Sequence, residues 1–336
     1  MINGDEILVG ETVLRTIPLI DVGTEGAPGA LAGAPELLSE IMQTARQRYG
    51  TPVLWTADAV SRRWMERTND PYLTEITKVA EHTGAPGIFM LNLSFEWGCT
   101  TGLAPDPITP GNRMLRTLDW PLDGLGRTLA VTRHESRAGE YFNVTWPGFA
   151  GITTAMAPGR FSAALNQPPM RWTSPIMALD WIANRAAIWK NGGLPPAHLL
   201  RKVFDECATY DEAKRMLSET PVCIPVFYTL SGVDADESCA IERLETQSDI
   251  REGSVSTANH WIGFGVPGRA RGIDSVGRWQ CMEQVRERDV ADDFAWVAPP
   301  ILNATTRLAA IANARAGKLI VQGWEEDGPA TEIFTL

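Results

Sequence analysis

The order of structural signals along the chain most constrains what it can fold into. From residue 127 onward, extended segments come in two turn-linked pairs, three helices follow in a row, and extended segments then return. Arg127 to Glu135 and Tyr141 to Phe149 flank Ala138-Gly139, the pattern of a hairpin. Gly151 to Met156 and Arg160 to Asn166 flank Ala157-Pro158-Gly159, a second turn signal. Ser174-Pro175 opens a helix that runs to Lys190 and stops at Gly192-Gly193, and Pro196 to Ala208 makes the next. Thr209 and Glu212 form a capping box for a third. Val222 to Leu230, Cys239 to Leu244, Arg307 to Ala314 and Lys318 to Trp324 read as strands. Strands and helices segregated into runs predict a layered α+β fold rather than a doubly wound parallel sheet.

The residues ahead of position 99 read differently. Leu8-Val9 and Leu14 to Ile20 are candidate strand, and Gly23 to Gly33 is a Gly/Ala-rich turn region. Pro35 to Tyr49 carries Leu37, Leu38, Ile41, Met42 and Ala45 at helical spacing. Asp58 to Arg67 is expected to be a second helix with Val60 and Trp64 on one face. Asp70 to His82 is a third, with Asp70 as N-cap, Pro71 in the first turn and Gly84 past the end. Residues 1–98 are therefore expected to form a helical segment and residues 99–336 a strand-rich unit.

A net charge of -11 argues against a nucleic-acid partner. No apolar run approaches the roughly 18–20 residues that span a bilayer, so no stable membrane anchor is expected. Met1 to Glu6 is acidic and lacks a basic, then apolar, signal-peptide pattern. Cys99, Cys207, Cys223, Cys239 and Cys281 show no C-x-x-C spacing, and His82, His134, His198 and His260 no metal-ligand spacing. These features predict a reducing, cytoplasmic setting and no metal or cofactor. G-x-G-x-x-G, P-loop and G-x-S-x-G motifs are all absent.

Chemistry concentrates at Phe95-Glu96-Trp97-Gly98-Cys99-Thr100-Thr101-Gly102, followed by Leu115-Arg116-Thr117-Leu118-Asp119-Trp120. A thiol needs a base before it can attack. Were the chain cut between Gly98 and Cys99, the freed α-amine, with an ordinary pKa of about 7.7–8.0, would supply one. Gly98 permits close approach to the scissile carbonyl. Asp119 would then hold the amine and Arg116 the thiolate. Three positions apart, those two need an irregular backbone to converge. On spacing alone, a buried structural cysteine beside an unrelated Arg/Asp pair accounts for the same residues.

These segments resemble the acid ceramidase family of N-terminal-nucleophile amidases, which includes the acid amidase acting on N-acylethanolamines and, more distantly, bile-salt hydrolases and penicillin V acylases. The resemblance continues through Phe149-Ala150-Gly151, Pro158-Gly159-Arg160-Phe161-Ser162, Leu165-Asn166, Tyr210 to Lys214, Ala258-Asn259 and Asp274 to Arg278, and covers nearly the whole chain. It implies a four-layer αββα sandwich with a helical pro-segment that stays bound after self-cleavage. It also implies Cys99 as nucleophile, Arg116 and Asp119 as its neighbours, Asn166 and Asn259 on substrate and oxyanion, and Arg278 completing the network. The long lead segment points to the ceramidase branch, hence to a small-molecule, lipid-like N-acyl amide as substrate. An acyltransferase on the same scaffold, a bile-salt or penicillin V-type acylase, and a non-catalytic binding homologue are the alternatives. The chain departs from the family pattern at Gln167, where acid ceramidase has Glu, and at Ala258, which replaces a Thr. Among its 12 Trp, Trp97 and Trp120, with Phe149, are the expected walls of an acyl pocket.

Overall fold

The computed structural model describes residues 14–336, so the candidate strand at Leu8-Val9 lies outside the described residues. The chain enters through β1 (Leu19–Gly23), which turns into α1 (Ala27–Gly33). The sequence reading made this stretch a turn. It is a helix because Ala27, Ala30 and Leu31 bury against the core, and because the missing side chain of Gly33 makes room for Ile20: a Cβ there would lie 2.4 Å from Ile20 Cγ2.

Helix α2 (Pro35–Tyr49) has the expected bounds and buries Leu37, Leu38, Ile41 and Met42. Helix α3 (Thr51–Thr68) starts about two turns earlier than expected, with Pro52 in its first turn. Val60 does not share the buried face of Trp64; it is 52% exposed. Asp58 is buried instead, and its carboxylate accepts from the Gly87 and Met90 amides, capping α5 (Ile88–Asn92) from a distance. Between them lies α4 (Leu73–Thr83), closed by Gly84 in the left-handed region. Asp70 is not its N-cap. One oxygen accepts from the Tyr72 amide, which turns the chain before the helix, and the other bonds His198.

The next two strands, β2 (Gly98–Pro105) and β3 (Asn112–Asp119), form an antiparallel pair. Hairpins β4 (Ala130–Ser136) with β5 (Gly139–Thr145), and β6 (Thr154–Ala157) with β7 (Phe161–Asn166), match the two turn signals. A short β8 (Met170–Arg171) precedes α6 (Met177–Lys190), α7 (Pro196–Glu206) and α8 (Tyr210–Glu219). The Thr209 hydroxyl caps α8 through the Glu212 amide as expected, while the Glu212 carboxylate accepts from Ala208. Strands β9 (Val226–Gly232), β10 (Ser238–Arg243), β11 (Ser248–Glu252), β12 (Val255–Thr257) and β13 (Gly268–Arg269) lead to α9 (Ser275–Val285). The chain ends with β14 (Thr306–Asn313), β15 (Lys318–Glu325), β16 (Gly328–Pro329) and β17 (Phe334–Thr335).

Two large sheets result. One runs β1-β4-β5-β6-β7-β9-β10-β11, the other β12-β2-β3-β14-β15-β16 with β17 beside β15. Strands β2, β3 and β14 face β7 and β9 across the sheet interface, where Leu103, Met114, Leu118 and Ala164 are fully buried. Helices α7 and α8 cover the outer face of the first sheet, and α9 covers β2 and β12 on the outer face of the second. The expected α+β four-layer arrangement is therefore present.

Residues 14–98 are not purely helical, nor are they set apart. Strand β1 joins the first sheet through a parallel pairing with β4, and Arg15 bridges Thr331. Ile17, Ile41, Leu91 and Trp97 belong to the same core as the sheets. Among the described residues no helix is long and apolar enough to cross a membrane.

Candidate active site

Strand alternation divides the site into two faces. Cys99 and Thr101 project between the sheets, and Thr101 stands opposite Arg116 on β3. The Arg116 guanidinium donates to Cys99 Sγ at 3.0 Å, Asn166 Oδ1 at 2.6 Å, Thr101 Oγ1 at 3.1 Å and the Leu165 carbonyl at 2.7 Å. All of these residues are fully buried. The charge is thus set against the sulfur by partners from both sheets.

On the outer face, Arg278 donates from the first turn of α9 to the Cys99 carbonyl at 2.6 Å, Thr100 Oγ1 at 2.7 Å and Asn259 Oδ1 at 2.8 Å, and lies 3.5 Å from Asp119 Oδ2. Arg116 and Asp119 therefore do not meet at one point. Three residues apart on a regular strand, they serve opposite sides of Cys99. The irregularity expected near them falls on the neighbouring strand: Thr306 pairs with Asp119 and Leu308 with Leu118, leaving Arg307 as a bulge.

The junction of Gly98 and Cys99 is crowded. Gly98 stands opposite Asp119, and a Cβ on it would lie 3.1 Å from Asp119 Cβ and 3.1 Å from the Gly272 Cα, so any side chain there would press on both neighbours. The Cys99 N–H donates to Asn259 Oδ1 at 2.8 Å. The Asn259 amide donates to the Gln167 carbonyl at 2.7 Å and the Trp97 carbonyl at 3.4 Å, so it reaches the chain on the other side of the same bond. Both donor contacts of Asn166 Nδ2, to the Thr257 and Ala258 carbonyls, are already made in the uncleaved chain; toward Cys99 this residue offers its oxygen to Arg116. Gln167 is buried, and its Nε2 has no partner among the described residues. Burial pushes the Cys99 thiol above its ordinary value, and Arg116 opposes that shift.

Trp97, Trp120 and Phe149 do not line the large cavity; Trp120 borders only a small pocket with Ile41, Met42 and Leu122. Trp97 packs edge-to-face on Trp120 and Phe149, and Trp120 on Trp146, inside the core. The large cavity, about 750 Å³, lies on the other side of the Gly98 segment, with Phe95, Glu96, Pro121, Gly272 and residues of α6 on its wall.

Sequence reasoning missed Thr101, Asn303 and Thr306. Thr101 carried a usable signal, standing two residues from Cys99 and so on its face. Asn303 Nδ2 donates to Asp119 Oδ2 at 3.0 Å and Thr306 Oγ1 to Oδ1 at 2.9 Å, contacts that only strand register creates. Asn303→Ala should leave the fold intact and slow the self-cleavage proposed below about tenfold or more, the worth of one hydrogen bond to a charged group. Intact-mass time courses would check this, and an unchanged rate would remove Asn303 from the site.

No model of a known protein family matches the chain. A solved structure, the Caenorhabditis elegans N-acylethanolamine-hydrolyzing acid amidase ortholog, shares its fold: TM-score 0.52 at 17% identity, covering 71% of this chain and 100% of that one. The αββα sandwich is the fold the two structures share. Sequence similarity narrows the comparison. The chain is 26% identical over 183 residues to the Mus musculus N-acylethanolamine-hydrolyzing acid amidase (52% of this chain, 47% of the relative). It is 27% identical over 203 residues to Mus musculus acid ceramidase (54% and 50%). It thus spans about half the length of the curated relatives it matches. The resemblance drawn from the motifs is matched by these relatives.

Proposed function

We propose that this chain is a self-processing cysteine amidase that cuts its own Gly98–Cys99 bond and then hydrolyses a lipid-like N-acyl amide. The observation that carries this reading is the convergence on Cys99: one guanidinium on its sulfur, a second on its carbonyl and an amide oxygen on its N–H. A buried structural cysteine has no use for two guanidiniums, each of which costs on the order of several kcal/mol to bury unpaired. The names of the relatives support amide hydrolysis as the reaction.

In self-cleavage the Cys99 thiol adds to the Gly98 carbonyl and its proton passes to the departing Cys99 nitrogen; the C–N bond breaks as the C–S bond forms, and water hydrolyses the Gly98 thioester to a carboxylate. Cleavage frees the Cys99 α-amine beside Asn259 Oδ1, with Asp119 next to the departed Gly98. The amine takes the thiol proton, and Arg116 steadies the thiolate. Sulfur adds to the substrate carbonyl, the C–S bond forms and the C–N bond breaks. The leaving amine departs with the proton, and water then hydrolyses the acyl-thioester. Intact-mass analysis of the purified chain tests the first half: two fragments split between residues 98 and 99 are expected. Fatty-acid release from a panel of N-acyl amides tests the second. A chain that stays whole and releases nothing would sink the reading. The five unpaired thiols support a reducing, cytoplasmic setting.

The first fragment should stay bound. Asp70 pairs with His198 at 2.7 Å, Glu75 with Arg201 at 2.8 Å, and Tyr72 donates to Asp205 at 3.0 Å, all across the cleavage point. Burial would raise the Asp70 carboxyl, but His198 and the Tyr72 amide hold it below its ordinary value. A depressed carboxyl contributes fully above the ordinary value of 3.8 and loses its contribution as pH falls through the lower folded-state value. The two fragments should therefore co-elute on gel filtration from neutral pH down to 3.8 and part only in stronger acid. Separation at pH 6 would contradict this.

A further inference from the structure

The cavity beside the scissile bond carries a charge that the amidase reading does not use. Its wall is apolar along Phe95, Met177, Trp181, Ile182, Ile188 and Ile224, yet three guanidiniums also face it: Arg185, Arg269 and Arg271. Asp180 answers Arg269 at 2.5 Å. Arg185 and Arg271 are left to share Glu96, which lies 4.0 Å from Arg185 and is held by the Trp181 indole N–H at 3.5 Å. Glu96 is the carboxylate whose charge acts on both of them. Arg271 donates to the Phe95 carbonyl at 2.6 Å, and its buried Nε has no partner among the described residues. Burial and the neighbouring Arg185 bring this guanidinium down to about 10, so it is still cationic at neutral pH.

One positive charge is therefore uncompensated, in a chain whose net charge is -11. Its position is bounded. Phe95 is four residues from Cys99, so their Cα atoms lie within about 14 Å of each other even along a fully extended chain, and the Arg271 head is bonded to the Phe95 carbonyl. Gly272, next to Arg271, abuts Gly98. A volume of about 750 Å³ suits a drug-sized ligand.

We propose, on the basis of the amidase reading, that the substrate is an N-acyl amino acid: its acyl chain lies along the α6 wall and the carboxylate of its leaving amine pairs with Arg271 and Arg185. In such a molecule the carboxylate sits one carbon from the amide nitrogen, so one guanidinium pair can hold the head group while Cys99 meets the carbonyl. A neutral amino-alcohol head would leave the charge unanswered.

Calorimetric binding of N-dodecanoylglycine and its neutral counterpart N-dodecanoylethanolamine to the full-length Cys99→Ala chain tests this without turnover. The glycine conjugate should bind at least about tenfold tighter at low salt. Arg271→Met should erase the difference, and Arg271→Lys should restore most of it. Equal affinities would overturn the assignment, as would a preference that survives Arg271→Met combined with Arg185→Met. The cleaved native chain is measured in parallel. A preference lost on cleavage would mean that the freed Gly98 carboxylate occupies the guanidiniums, and would also overturn it. Preferential binding with hydrolysis of neither amide would leave the head-group site standing and refute the amidase reading.

Discussion

Cys99→Ala should leave the chain whole and lower amide hydrolysis by at least about 10⁴-fold, the scale of losing a nucleophile that acts as a unit with its base. The same substitution removes both halves of the chemistry, because the residue supplies the sulfur and, once terminal, the amine. The fold should survive. Arg116 loses one acceptor, but Thr101, Asn166 and the Leu165 carbonyl still hold it. A single band at full mass, with a denaturation midpoint near that of the native chain, is the expected pair of results. Full activity in the variant would place the chemistry elsewhere.

Asp119→Asn should cost both activity and stability. In the proposed mechanism Asp119 is the carboxylate beside the freed amine, and its loss should slow cleavage and turnover about 10²–10⁴-fold, the range for a group that manages a proton. The side chain also sits 3.5 Å from the fully buried Arg278. Removing that charge leaves Arg278 with neutral acceptors only, and breaking a buried pair from one side costs about 3–5 kcal/mol. Urea unfolding of an uncleaved background, Cys99→Ala with and without Asp119→Asn, separates the two effects. Equal midpoints would show that Asp119 does not stabilise Arg278.

Much of the architecture was legible because it is written in short-range pattern. The hairpins at 130–145 and 154–166, the helix at 35–49 and the Thr209 cap each depend on residues within a few positions of one another. Helices α1 and α9 were not legible. Gly, Ala and Pro dominate α1, and its helicity comes from packing on β1, which no local window contains. Helix α9 buries Arg278, Met282 and Val285, and its start at Asp274 is set by a side-chain bond to the Gly277 amide.

The site divides in the same way. Residue types at Cys99, Arg116, Asp119, Asn166, Asn259 and Arg278 could be named from the chain, since their chemistry and their order carry the resemblance. That Arg116 faces the sulfur while Asp119 faces Arg278 follows from strand alternation and the pairing of β2 with β3. The cavity is a different matter: its charges come from Glu96, α6 and the Arg269–Arg271 segment, brought together across more than 170 positions. Local sequence specifies which groups are present and which backbone each prefers. Long-range register and packing specify which of them meet, because a contact between distant residues exists only once the sheets have chosen their partners.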